Sequence, residues 1–143
     1  RVSGGAWLLG YPLLPLNLSL LPQCILTGKW KNDLDSNMTI RNVTDKGEFS
    51  GIYYTAVTAG GSSPKESPLV GYQHLSEEPT FGFTVNWTFS DSITVFTGQC
   101  FIDEGKEVLK TMWLLRAHAD NITSDWKATL VGINVFTRLP SQK

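Results

Sequence analysis

The residues whose types and spacing point to chemistry are Tyr53, Thr55, Thr94 and Asn134, each in an alternating stretch on the same side as large apolar groups. With Trp87, Phe89, Phe96 and Trp113 they make an apolar wall carrying hydroxyl and amide tips. Each tip left buried and unpaired costs about 1 to 3 kcal/mol. Two readings follow. Either the tips satisfy one another in a polar-flecked core, or a ligand satisfies them in an apolar pocket with a few convergent polar groups.

Catalysis is poorly served. The two histidines, His74 and His118, stand near strand ends in polar surroundings, and no GxSxG, HExxH or glycine-rich phosphate loop occurs. Glu77 and Glu78 are adjacent in an extended stretch, so they point to opposite faces and cannot face each other as an acid/base pair. They read as a solvated loop. Cys24 and Cys100 lie far apart without a CxxC or a nearby histidine, which makes one disulfide a better reading than zinc or dithiol redox chemistry. Closing so long a loop stabilises by about 4 kcal/mol in the chain-entropy model, less any native strain. No catalytic residue, metal or cofactor is expected.

The elements that must position the polar tips are strands. From Thr27 onward no amphipathic helix pattern persists over the ~11 residues such a reading needs, whereas period-two alternation recurs. Turn clusters at residues 33–36, 45–47, 60–64, 90–92, 103–105 and 119–121 separate roughly eight short strands. The expected fold is all-β, an eight-stranded antiparallel up-and-down β-barrel. Parity assigns the faces. In residues 47–57, Phe49, Gly51, Tyr53, Thr55 and Val57 point inward; in 81–89, Phe83, Val85, Trp87 and Phe89; in 109–115, Leu109, Thr111, Trp113 and Leu115. The last strand is apolar on both faces, with Leu130, Gly132, Asn134 and Phe136 on one and Val131, Ile133 and Val135 on the other. The outer face, joined by Met112, needs another subunit to cover it.

Composition bounds the rest. The 143 residues fit one domain, and a formal charge of −1 offers no footprint for nucleic acid or an anionic membrane. Five sequons, at Asn17, Asn37, Asn42, Asn86 and Asn121, agree with a secretory, oxidising compartment and so with a secreted, extracellular protein. Residues 1–23 are Leu-rich and broken by Pro12 and Pro15, and read as a signal-peptide remnant or a disordered tail; the folded domain is 24–143.

A long series of matches then identifies a family. Cys24-Ile25-Leu26-Thr27-Gly28-Lys29-Trp30-Lys31-Asn32-Asp33-Leu34, Ser36-Asn37-Met38-Thr39-Ile40, Thr55-Ala56-Val57-Thr58-Ala59, Phe81-Gly82-Phe83-Thr84-Val85-Asn86-Trp87, Phe96-Thr97-Gly98-Gln99-Cys100 and Val131-Gly132-Ile133-Asn134 resemble the avidin family. The resemblance covers nearly all of residues 24–143. It implies a barrel that binds biotin at its open end, usually as a homotetramer, and no enzyme activity.

Carried over residue by residue, the resemblance makes Asn32, Ser36 and Tyr53 donors to the ureido oxygen, Thr55 and Asn134 acceptors of the ureido N–H groups, and Thr94 the partner of the ring sulfur. Trp87, Phe89, Phe96 and Trp113 become the apolar walls, with Leu34, Val57 and Leu115 completing the pocket. Thr58, Ala59, Gly60, Ser90 and Ser92 surround the carboxylate. Trp126 becomes a lid lent by a neighbouring subunit, across an interface that includes Met112, Val131 and Ile133. Asn134 speaks most strongly for a ligand, because an amide on the inward face of an apolar strand needs partners that a bound urea supplies. Gly60 stands where egg-white members of the family carry threonine, which keeps a backbone N–H but loosens the loop. Asn37 is the sequon expected to carry sugar. The alternative is a barrel used as an extracellular interaction domain or as a carrier of another small apolar molecule.

Overall fold

A computed structural model describes residues 23–56 and 64–141. Its strands are β1 (Gly28–Asn32), β2 (Asn37–Ile40), β3 (Glu48–Thr55), β4 (Lys65–Gln73), β5 (Thr80–Asn86), β6 (Ser92–Asp103), β7 (Lys106–Ala117) and β8 (Thr129–Arg138). Each pairs antiparallel with its neighbour in the chain, and β8 returns to β1, so the barrel is closed. Closure at eight strands leaves an interior just wide enough for side chains or one small ligand.

Alternation decides which side chains fill it. Phe49 and Tyr53 from β3, Phe81, Phe83 and Val85 from β5, and Thr94 and Phe96 from β6 are buried, as are Leu109 and Thr111 from β7 and Asn134 and Phe136 from β8. The expected parity holds for these residues, but Leu130, expected on the same face of β8 as Asn134, is 58% exposed near the start of that strand. Phe89 also differs. β5 stops at Asn86, so Phe89 lies in the following loop, 40% exposed and packed against Trp87 at 5.6 Å, where inward alternation no longer governs it.

One end of the barrel is plugged. Trp30 is fully buried, its indole N–H donates to the Leu26 carbonyl at 2.8 Å, and the Arg138 guanidinium lies over its ring at 4.2 Å. Arg138 also pairs with Glu107 at 2.7 Å and donates to the carbonyls of Thr27 and Ile25, while the Cys24–Cys100 disulfide ties the entering chain to β6. The β6–β7 turn needs two left-handed residues, Glu104 (φ 49°) and Gly105 (φ 77°), a tight hairpin whose twist matches its strands.

Glu78 is more than a solvated loop residue: its carboxylate accepts the Ile102 N–H at 2.8 Å and its carbonyl accepts from Gln99 at 3.1 Å, fastening the β4–β5 loop to β6. Glu77 is exposed, as expected.

Candidate functional site

At the end opposite the plug, β1 runs out at Asn32 and turns through Asp33–Ser36. The turn needs an acceptor for its N–H groups, and the Asn32 side-chain oxygen takes those of Leu34 (3.0 Å) and Ser36 (2.9 Å). That fixes the amide with its NH2 turned inward, where it donates to the Tyr53 hydroxyl at 3.0 Å. Ser36 is buried beside them, and its hydroxyl oxygen accepts the Ala56 N–H at 3.3 Å, so its own proton is free to donate. Burial pushes the Tyr53 phenol up to about 12, against hydrogen bonding from Ser36 and Asn32 and with the nearby Asp33 carboxylate adding to the rise. Tyr53 therefore keeps its proton at neutral pH. Three buried donor groups gather here, an arrangement that favours an oxygen bearing negative charge.

The aromatic wall begins at Tyr53 itself, which stacks on Phe96 at 5.7 Å and meets the edge of Trp87 at 5.3 Å. Phe83 continues the stack on Phe96 at 4.7 Å. The Trp87 indole N–H donates to the Thr94 hydroxyl at 2.7 Å, which leaves the threonine proton for another acceptor. Trp113 is half-buried and lies where a side chain at Gly132 would otherwise stand: a Cβ there would come within 2.2 Å of the indole. Asn134 is 4% exposed, and its NH2 donates to the Asp33 carboxylate at 2.8 Å. That hydrogen bond, with a further one from the Val135 N–H, holds the Asp33 carboxyl below the usual carboxylate range against the opposing effect of burial.

The sequence-derived set is thus brought together in part. Asn32, Ser36 and Tyr53 form one cluster, and Trp87, Thr94 and Phe96 form a second that shares the Tyr53 ring. Thr55 ends β3 half-buried, and Leu115 is half-buried on β7, whereas Leu34 is 60% exposed in its turn. Ser90 and Ser92 hydrogen-bond to each other at 2.5 Å beyond Phe89. Val57, Thr58, Ala59 and Gly60 lie outside the described residues. Trp126 is not in this barrel. It stands 82% exposed on a short 3-10 helix, Ile122–Lys127, that Asn121 caps and that Arg116 holds through Asp125 at 2.5 Å.

Two residues near the site were not among those assigned to it from the sequence. Phe136, which alternation had placed on the face of Asn134, is fully buried and meets the ring of Phe96 at 6.0 Å. Asp33 sits in a turn cluster, where aspartate needs no special explanation, and its contact with Asn134 joins residues 101 apart in the chain.

Residues 21–139 match the Avidin family. Avidin of Gallus gallus is 62% identical over 141 residues, a match that covers 92% of this chain and 93% of that protein. Avidin-related protein 4/5 of Gallus gallus is 58% identical over 135 residues, covering 89% and 90% respectively. Among solved structures, Xenavidin aligns with a TM-score of 0.78 at 55% identity, over 82% of this chain and 99% of that one. A biotin binding protein from chicken aligns with a TM-score of 0.76 at 52% identity, over 82% and 99%.

Proposed function

This chain belongs to the avidin family, and we propose that it binds biotin without covalent chemistry, as ligand rather than cofactor, in the open end of its barrel. The family is one of binders rather than enzymes. The observation that carries the reading is the buried cluster of Asn32, Ser36 and Tyr53, whose donors suit the ureido oxygen of biotin. A urea oxygen gathers negative charge in its polarised resonance form, and three donors strengthen that form. Thr55 and Asn134 accept the ureido N–H groups, Thr94 addresses the ring sulfur, and Trp87, Phe89, Phe96 and Trp113 enclose the bicyclic ring. Leu34, Val57 and Leu115 complete the apolar lining. The valerate carboxylate meets Thr58, Ala59, Gly60, Ser90 and Ser92.

In this reading residues 24–143 are a secreted, extracellular biotin-sequestering domain, glycosylated at Asn37, which is exposed at the start of β2. The chain acts as a homotetramer in which Trp126 closes a neighbour's site. Exposure of that tryptophan and of Met112, Val131 and Ile133 supports the assembly.

Thermal unfolding with and without biotin tests the assignment. A ligand that binds only the folded state, at a thousand times its dissociation constant, adds about 4 kcal/mol of stability. A clear upward shift in melting temperature is expected. No shift in excess biotin would overturn the function.

A further inference from the structure

Asn134 is buried, and its two amide atoms are chemically different: one oxygen that accepts and one NH2 that donates. Which of them faces the cavity decides what the site recognises. The inside of the barrel cannot settle the choice, because the neighbouring groups on β8 and β7 are apolar or already occupied: the Thr111 hydroxyl donates to the Asn134 backbone carbonyl at 2.8 Å.

Asp33 settles it from outside. An ionised carboxylate only accepts, so the atom of Asn134 that approaches Asp33 Oδ1 at 2.8 Å must be the NH2. The amide oxygen is left with no partner among the described residues, on a side chain 4% exposed. Asp33 is itself held in register, since its backbone N–H donates to the Val135 carbonyl at 3.1 Å and its Oδ1 accepts the Val135 N–H at 3.3 Å. Its side chain thereby prolongs the β1–β8 ladder beyond the last strand pair and gives Asn134 a fixed acceptor.

Resting on the biotin reading above, we propose that Asp33 is a positioning residue for recognition: it holds the Asn134 amide with its oxygen toward the ligand, so that the site requires an N–H at that point of the ureido ring. Asp33 touches no ligand atom in this scheme. Without it the amide is free to turn its NH2 inward, where it would oppose the ureido N–H donor to donor.

The experiment measures biotin dissociation rates, by competition with excess free ligand, for the wild type, Asp33→Ala, Asp33→Asn, Asn134→Ala and the double variant Asp33→Ala/Asn134→Ala. Loss of one oriented hydrogen bond speeds release roughly tenfold, so Asp33→Ala is expected to release biotin about ten times faster than wild type. Because Asp33 acts through Asn134, the double variant is expected to match Asn134→Ala alone. Asp33→Asn keeps an oxygen that the Val135 N–H orients, and is expected to restore slow release. A residue that merely supports the turn would instead speed release by the same factor in both backgrounds and lower the melting temperature of the ligand-free protein. That pattern, a wild-type rate for Asp33→Ala, or no rescue by asparagine would overturn the proposal while wild-type binding left the biotin reading intact. A wild type that does not bind biotin would remove both.

Discussion

Tyr53 is the residue on which the site's chemistry turns, because it is at once a wall and a donor. Its phenol stays protonated to about 12, which has a consequence for stability. Between pH 10 and 12 the unfolded chain has released this proton while the folded chain retains it, so the folded state loses stability as pH rises through that window and is unaffected below it. The shift from 10.0 to about 12 corresponds to a loss on the order of 3 kcal/mol. Denaturant titrations of wild type and Tyr53→Phe across pH 9 to 12 should show a difference that narrows as pH rises; parallel curves would mean the buried phenol does not titrate with folding. Tyr53→Phe and Asn134→Ala should each weaken biotin binding by at least ~1 kcal/mol, since each strands a buried polar partner. Thr58→Ala, addressing the more solvated carboxylate, should cost less, and equal losses in calorimetry would show the pose to be wrong. The inward residues were legible before any coordinates because strand alternation places each side chain without knowledge of its partners. Asp33 was not, since its role exists only once β1 and β8 meet.

At the scale of the strand, β8 shows how one small residue shapes a wall of the proposed site. Gly132 sits opposite Trp113 in the β7–β8 ladder, and an added Cβ would fall 2.2 to 2.8 Å from three indole carbons. Gly132→Ala must therefore displace Trp113, with an overpacking cost of typically 1 to 3 kcal/mol, and weaken biotin binding as the wall shifts. Gly105 provides the contrast. A Cβ there meets nothing within 4 Å, but its φ of +77° is strained for any other residue, so Gly105→Ala should lower stability by about 1 kcal/mol without touching affinity. Unfolding and binding measured on both variants separate the two effects; a Gly132→Ala protein with unchanged affinity would refute the role given to the wall. The same contrast marks what the sequence pattern carries. Period two announced the strands and their turns, but the 3-10 helix at Ile122–Lys127 is six residues long, too short for any periodicity to register, and depends instead on the Asn121 cap. Glu78 likewise looked solvated because its partners, Gln99 and Ile102, lie on a strand more than 20 residues away.

The whole molecule presents an outer surface that a single barrel has no use for. Val95, Leu114 and Val131 stand in one cross-strand row, and Met112 and Ile133 in the next, all about half exposed or more. Hollows of about 680 and 470 Å³ flank these rows on the outer wall, one beside Val70 and Tyr72 and the other beside Met112 and Ile133. A second copy offers a surface of matching character, as closed symmetric assemblies require. Trp126 adds the link to function. It is displayed on a capped, ion-paired helix with no core behind it, and 82% exposure of so large an apolar group is costly unless something covers it. In the proposed tetramer, where it is lent across an interface to a neighbour's open barrel, it removes ligand surface from water only in the assembled state. Biotin must then tighten the tetramer by the same free energy with which the tetramer tightens biotin. Trp126→Lys should therefore loosen both together, which sedimentation of wild type and variant with and without biotin will read. A wild type that is monomeric yet holds biotin as tightly would break this coupling while leaving the ligand assignment in place.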